Sequence, residues 1–121
     1  MHEDDSITSA IIKCCYEVHN RLGSGFLEKV YENALAYELK KRGFEVATQS
    51  PISVFYDNQV VGEYYADILV NSRVIVELKT VVGLCPEHSA QLINYLKATG
   101  THTGLLVNFH GPKPEIKRSY R

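Results

Sequence analysis

Charge of either sign is missing from this chain in excess: thirteen Lys and Arg stand against fourteen Asp and Glu, a formal net charge of -1. Global charge therefore gives no sign of a polyanionic partner, and any such contact has to come from a local patch. No stretch approaches the roughly 18 consecutive apolar residues of a membrane-spanning helix. The opening MHEDDSIT is acidic and holds no apolar run of signal-peptide type, so the expectation is a soluble, cytoplasmic protein with no membrane partner. Cysteine is scarce: Cys14, Cys15 and Cys85 are an odd number without CxxC spacing, which supports neither a disulfide framework nor a zinc site. They read as reduced thiols of the core or its boundary. His2, His19, His88, His102 and His110 are scattered without an HExxH or HxH pair, so metal held through histidine is not expected. Internal repeats and low-complexity segments are absent as well.

What is present suffices for one core. With 121 residues and 45% hydrophobic content, the chain is expected to form a single domain over residues 1–121. Residues 6–21 read as a helix with Ser6 as N-cap behind Asp4 and Asp5, and with Ile7, Ile11, Cys14, Val18 and Leu22 at helical spacing. After Gly23-Ser24-Gly25 a second helix runs from about Phe26 to Arg42, with Gly43 as its stop. Glu28, Tyr31 and Glu32 share one of its faces. A carboxylate in the first turn is favoured by the helix dipole, which alone accounts for Glu28, and Tyr31 fits a core position equally well. The run Lys40-Lys41-Arg42 is either a solvated helix end or a patch that steers phosphate.

Glu45 to Tyr56 reads as a strand with Pro51 at a bend or an edge, and Asp57-Asn58 as a hairpin turn. Pro86 opens a third helix that extends to about Ala98 and stops at Gly100. Leu92, Ile93 and Leu96 form its apolar stripe, and His88, Gln91 and Tyr95 lie on a neighbouring face. Thr103 to Phe109 is a short apolar strand, expected to return parallel to the strand at Val74 to Val82. The tail KPEIKRSYR, with Lys113, Lys117, Arg118 and Arg121, is a last edge strand or a basic arm.

The centre of the chain is Glu63 to Val82, two strands joined at Asn71-Ser72-Arg73. Ala66, Ile68, Val70, Val74, Val76 and Leu78 alternate with a set containing Asp67, Glu77 and Lys79, which places an apolar face against a core and a charged face opposite. A three-residue loop pairs Val70 with Val74 and so sets Asp67 opposite Glu77, with Cβ atoms about 4.5–5.5 Å apart. Two carboxylates that close repel unless a cation or a shared proton intervenes. Lys79 offers part of that relief, and a hard divalent cation would offer more. Solvated charges on the outer face of a hairpin are the alternative reading.

The order helix, strands, charged hairpin, helix, strand, with an Asp followed by Glu-x-Lys, resembles the PD-(D/E)xK nuclease superfamily. More narrowly, Gly25-Phe26-Leu27-Glu28-Lys29-Val30-Tyr31 is similar to the signature of the GxxExxY family of small prokaryotic proteins. The resemblance implies an α/β, restriction-endonuclease-like fold: a mixed sheet flanked by helices in the order ααβββαβ, with an extra edge strand. It implies a nuclease that hydrolyses phosphodiester bonds of DNA, or of RNA, with Mg²⁺ or Mn²⁺ as cofactor. Asp67, Glu77 and the main-chain carbonyl of Leu78 would hold the metal, and Glu28 would join them. Lys79 would act on the attacking water and the phosphate, with Gln91 as a supporting polar residue and Tyr95 as a weaker candidate. Ala66 stands before Asp67 where the superfamily name has a proline. A homodimer is expected to supply the surface that one small domain lacks. The competing reading is a catalytically silent module of the same fold that binds nucleic acid or a protein partner.

Overall fold

The computed structural model describes residues 2–121, and these form three helices and five strands. In chain order they are α1 (Asp5–Leu22), α2 (Glu28–Lys41), β1 (Val46–Tyr56), β2 (Gln59–Val70), β3 (Val74–Lys79), α3 (Pro86–Thr99), β4 (Thr103–Asn108) and β5 (Glu115–Tyr120). The expected order ααβββαβ is followed by the extra strand. The sheet runs β1-β2-β3-β4-β5, antiparallel throughout except for the parallel pair β3 and β4 that brackets α3. β3 reads Val-Ile-Val-Glu-Leu-Lys and is buried from Val74 to Leu78, as a strand covered on both faces must be.

Both faces are covered, which removes the alternative reading of solvated charges on an outer face. Ile11, Cys14, Leu35 and Leu39 of α1 and α2 pack on Ile68, Val70, Val76 and Leu105. Across the sheet, Leu92, Tyr95 and Leu96 of α3 pack on Ile52, Ile75 and Leu106. Glu77 follows Ile75 by two residues, lies on the same side of β3 and is only 6% exposed, so it is not a solvated charge. Alternation shows which residues share a face; the apolar stripe of α3 supplies the cover. Gly104 lets that helix sit close, because a Cβ there would meet Leu92 Cδ1 at 2.9 Å.

Other boundaries shift for identifiable reasons. α1 begins at Asp5, with Asp4 rather than Ser6 in the cap position and no side-chain cap bond. The Asp4 carboxylate is committed elsewhere: it accepts from Arg73 Nε at 2.6 Å and from Thr103 Oγ1 at 2.7 Å, and so fastens the β2–β3 loop and the start of β4 to the first helix. α2 starts at Glu28 rather than Phe26, since Leu27 is still extended, with φ -69° and ψ 154°. Lys41 and Arg42 reach back to the buried Glu38, at 3.5 and 4.0 Å, alongside Arg21 at 3.4 Å, so two members of the basic run serve an internal carboxylate. β3 ends at Lys79 rather than Val82, and the basic tail is an edge strand paired with β4. Among the described residues no helix is long and apolar enough to cross a membrane.

Asp4→Ala leaves the Thr103 hydroxyl, fully buried, without its acceptor. Urea denaturation should show a loss of about 1–3 kcal/mol of stability, the cost of an unsatisfied buried polar group. An unchanged midpoint would mean that this tie carries no load.

Candidate active site

β2 and β3 pair at Val70↔Val74, Leu69↔Ile75 and Ile68↔Val76, and there the ladder stops. The next rung in the count joins Asp67 to Glu77, as the loop length requires, but no main-chain pairing occurs on it. The side chains take its place: Asp67 N–H donates to Glu77 Oε1 at 2.9 Å, and Leu78 N–H donates to Asp67 Oδ2 at 2.8 Å. Each carboxylate thus satisfies a main-chain donor on the opposite strand that the ended ladder would leave bare. Beyond this point β2 continues with β1 alone and β3 with β4 alone, so the sheet forks at the two acids.

Gln49 sits opposite Asp67 on β1 with φ +50°, a region that most L-residues avoid. Alternation breaks at this point. Ile68 and Val70 belong to the core under α1 and α2, whereas Ala66 belongs with Ile52 to the core under α3, so Ala66 does not share a face with Ile68 as expected. The Gln49 side chain is put to use: Nε2 donates to Glu32 Oε1 at 2.8 Å and to Asp67 Oδ1 at 3.4 Å. Glu32, 3% exposed, also accepts from Lys29 Nζ at 2.7 Å. A chain of polar contacts therefore runs from Lys29 through Glu32 and Gln49 to Asp67. The sequence reading put Glu32 on the face of Glu28 without assigning it to the site, and it passed over Gln49, whose backbone conformation leaves no mark in its residue type.

Glu28, half-buried at the start of α2, lies within electrostatic range of Asp67, Lys79 and Glu32 and makes no side-chain bond to them. Burial first, and the Asp67 charge second, raise its carboxyl above the usual range. Burial is also the main cause of the upward shift at Asp67, with the Leu78 N–H pulling the other way. Glu77 is pushed furthest, to about 8, by burial and then by the Asp67 charge, against the counter-pull of the Asp67 N–H and Lys79. Lys79 forms no ion pair among the described residues, and its charge acts on all three acids through space. The chain beyond it is held by Asn108, which bonds the main chain of Val81 in both directions at 3.0 and 2.8 Å.

On the α3 side, Tyr95 is buried close enough to Glu77 and Asp67 for their charges to raise its hydroxyl, after burial itself. Gln91, one turn earlier, is exposed and makes no hydrogen bond to Asp67 or Glu77. The structure thus gathers Asp67, Glu77, Lys79 and Glu28 around the fork, with the Leu78 main chain between them, and leaves Gln91 on the rim. Tyr31 lies behind the site. Its hydroxyl donates to Gly23 O at 2.7 Å and accepts from Phe26 N–H at 3.3 Å, while its ring stacks on Phe109 with centroids 4.6 Å apart. These bonds pin the Gly23–Phe26 turn and with it the first turn of α2, where Glu28 stands.

Among the described residues no three His, Cys, Asp or Glu side chains gather closely enough to hold a metal ion by themselves. A cation at the fork would take two carboxylates and a main-chain carbonyl from the protein. Hard oxygens in that small number suit an ion that keeps water or takes phosphate oxygens, and a cation would favour the ionised form of both acids.

The chain belongs to the PD-(D/E)XK nuclease superfamily, whose family model matches residues 5–119. Two crystal structures share its fold. The protein designated SSO0001 aligns with a TM-score of 0.63 at 18% identity, over 98% of this chain and 60% of that one, so the chain spans less than two thirds of that relative. The alkaline exonuclease LHK-Exo from Laribacter hongkongensis aligns with a TM-score of 0.55 at 17% identity, over 100% of this chain and 72% of that one. No curated protein matches by sequence. PD-(D/E)XK nucleases generally use divalent metals.

The proton on Glu77 has a thermodynamic consequence in metal-free protein. Unfolding returns the group from about 8 to its ordinary 4.5, so between those values the folded state binds the proton that the unfolded state has lost. Stability falls as pH rises through that window, and Asp67, shifted the same way, adds to the fall. In EDTA the melting temperature of the wild type should therefore drop more between about pH 5 and about pH 9 than that of Glu77→Gln. Equal drops in the two proteins would overturn this reading of the pair.

Proposed function

We propose that the protein is a metal-dependent nuclease that hydrolyses phosphodiester bonds of DNA, and that it falls in the GxxExxY group of its superfamily. The observation that carries the reading is the fork itself: the half-buried Asp67 and the buried Glu77 face each other where the sheet opens, with Lys79 beside them. In this reading Asp67, Glu77 and the Leu78 carbonyl hold Mg²⁺ or Mn²⁺, with Glu28 completing the acidic set. The bound metal would lower the pKa of a water nucleophile and polarise the phosphoryl oxygen. Lys79 orients that water and balances charge that builds on the phosphate. Gln91, on the rim, contacts the nucleic acid rather than the reacting atoms. Gln49 keeps Asp67 in place through its contact with Oδ1, and Glu32 holds the Gln49 amide in turn.

The GxxExxY assignment draws support from what its three residues do. Gly25 has φ +109°, which suits glycine alone; Glu28 opens α2 beside the fork; Tyr31 anchors the turn that precedes both. Two copies in a homodimer would supply added surface and a second site for the opposite strand. Sedimentation at assay concentration checks this, and a fully active monomer would remove it.

The test joins binding to turnover. Calorimetric titration of Mg²⁺ and Mn²⁺ into wild type and Asp67→Ala should show metal binding that the substitution abolishes. On DNA substrates Glu77→Ala and Lys79→Ala should lower cleavage by about a hundredfold or more, the scale of a positioned acid–base group. Undiminished cleavage by both variants sinks the proposal. Metal binding without cleavage of DNA or RNA would instead favour a silent module of the same fold.

A further inference from the structure

Past the fork the β1–β2 hairpin stands alone, and between it and α3 lies a cleft of about 830 Å³. That volume falls in the range of sites that enclose small organic ligands. Its hairpin wall carries Phe55, Val61 and Tyr64, which are 62, 61 and 46% exposed, an unusual amount of apolar and aromatic surface for so small a protein. The Tyr64 ring lies over Gly62, where a Cβ would come within 3.3 Å of it, so the missing side chain gives the ring its seat. From the helix wall Tyr95 meets it with ring centroids 5.6 Å apart and planes tilted by 45°. The inner end of the cleft is therefore Tyr95, the residue that senses the charges of Glu77 and Asp67.

Charge on the cleft walls is balanced, with Lys97 against Glu87. The cleft has no stripe of lysine and arginine to hold phosphates, so its rings have to supply the affinity, and a duplex keeps its base faces stacked on one another and out of their reach. An unpaired strand presents the flat faces of its bases, and aromatic rings receive these with little regard to sequence. Gln91 and Asn94 on the helix wall add amides that both donate and accept at base edges. We propose that this cleft binds the unpaired bases of single-stranded DNA, stacking them at Tyr64 and leading the strand toward Asp67 and Glu77. The direction of the strand rests on the nuclease reading above; the stacking site does not.

The experiment uses full-length protein in Ca²⁺ in place of Mg²⁺, with a short oligothymidylate carrying one 2-aminopurine, the same length of oligouridylate, and a blunt duplex as probes. Wild type should bind the oligothymidylate more tightly than the duplex and quench the 2-aminopurine. Tyr64→Leu should weaken binding by about tenfold or more and abolish the quenching, while Tyr64→Trp retains both. Phe55→Ser, at an exposed position, provides a second variant that should weaken binding if Tyr64→Leu fails to fold. Equal affinity for duplex and single strand, or binding that ignores the Tyr64 and Phe55 changes, overturns the proposal; tighter binding of oligouridylate overturns the choice of DNA. A Tyr64→Leu variant that dissociates a dimer without altering oligonucleotide affinity would assign the cleft to a second copy and likewise overturn it. Ring-dependent binding without cleavage in Mg²⁺ would support the cleft and count against the nuclease reading. Cleavage that needs Asp67 and ignores Tyr64 would do the reverse.

Discussion

The two carboxylates at the fork hold the strands apart and together at once. Asp67 and Glu77 repel, yet each accepts a main-chain N–H from the facing strand, so neither can swing into solvent without leaving a donor unpaired. Burial first, and the Asp67 charge second, push Glu77 up to about 8, so that it holds its proton into the neutral range. A pair fixed in this way by main-chain bonds is arranged before any ligand arrives, and ordering it then costs little further entropy.

The rest of the fold braces this pair from two sides. On one side α2 brings Glu28 and Glu32, and the strained Gln49 on β1 connects Glu32 to Asp67. Tyr31, stacked on Phe109 beneath, fixes where α2 begins. On the other side α3 covers the sheet and places Tyr95 beside the acids. The near-neutral overall charge fits this layout, because the exposed hairpin is aromatic rather than basic.

Much of this was legible from residue types. Asn71-Ser72-Arg73 fixed the loop length, the alternation about it fixed the phase, and together they set Asp67 against Glu77. The parallel return of β4 followed from the short apolar run after a helix. Other features depend on contacts between segments remote in sequence. Alternation could not reveal that α3 covers the second face, nor that Ala66 turns to a different core from Ile68, since that change occurs opposite a glutamine of β1 with positive φ. Helical spacing grouped Glu28 with Glu32, but only the approach of β1 buries Glu32 and bonds it to Gln49. Asp4 looked like part of a capping signal, and its buried partners, Arg73 and Thr103, lie 69 and 99 residues away. The tail's alternatives were settled by the unpaired edge of β4.

Gly104 carries this dependence on remote contacts to its smallest unit. Leu92 rests on a backbone without a side chain, and Tyr95 stands one helical turn further along the same helix. The height of α3 above the sheet, and hence the gauge of the passage between Tyr95 and the hairpin, is set by a single hydrogen atom on a central strand. A chain that replaced it with a methyl group would keep every polar residue of the site and change the bore of the entrance to it.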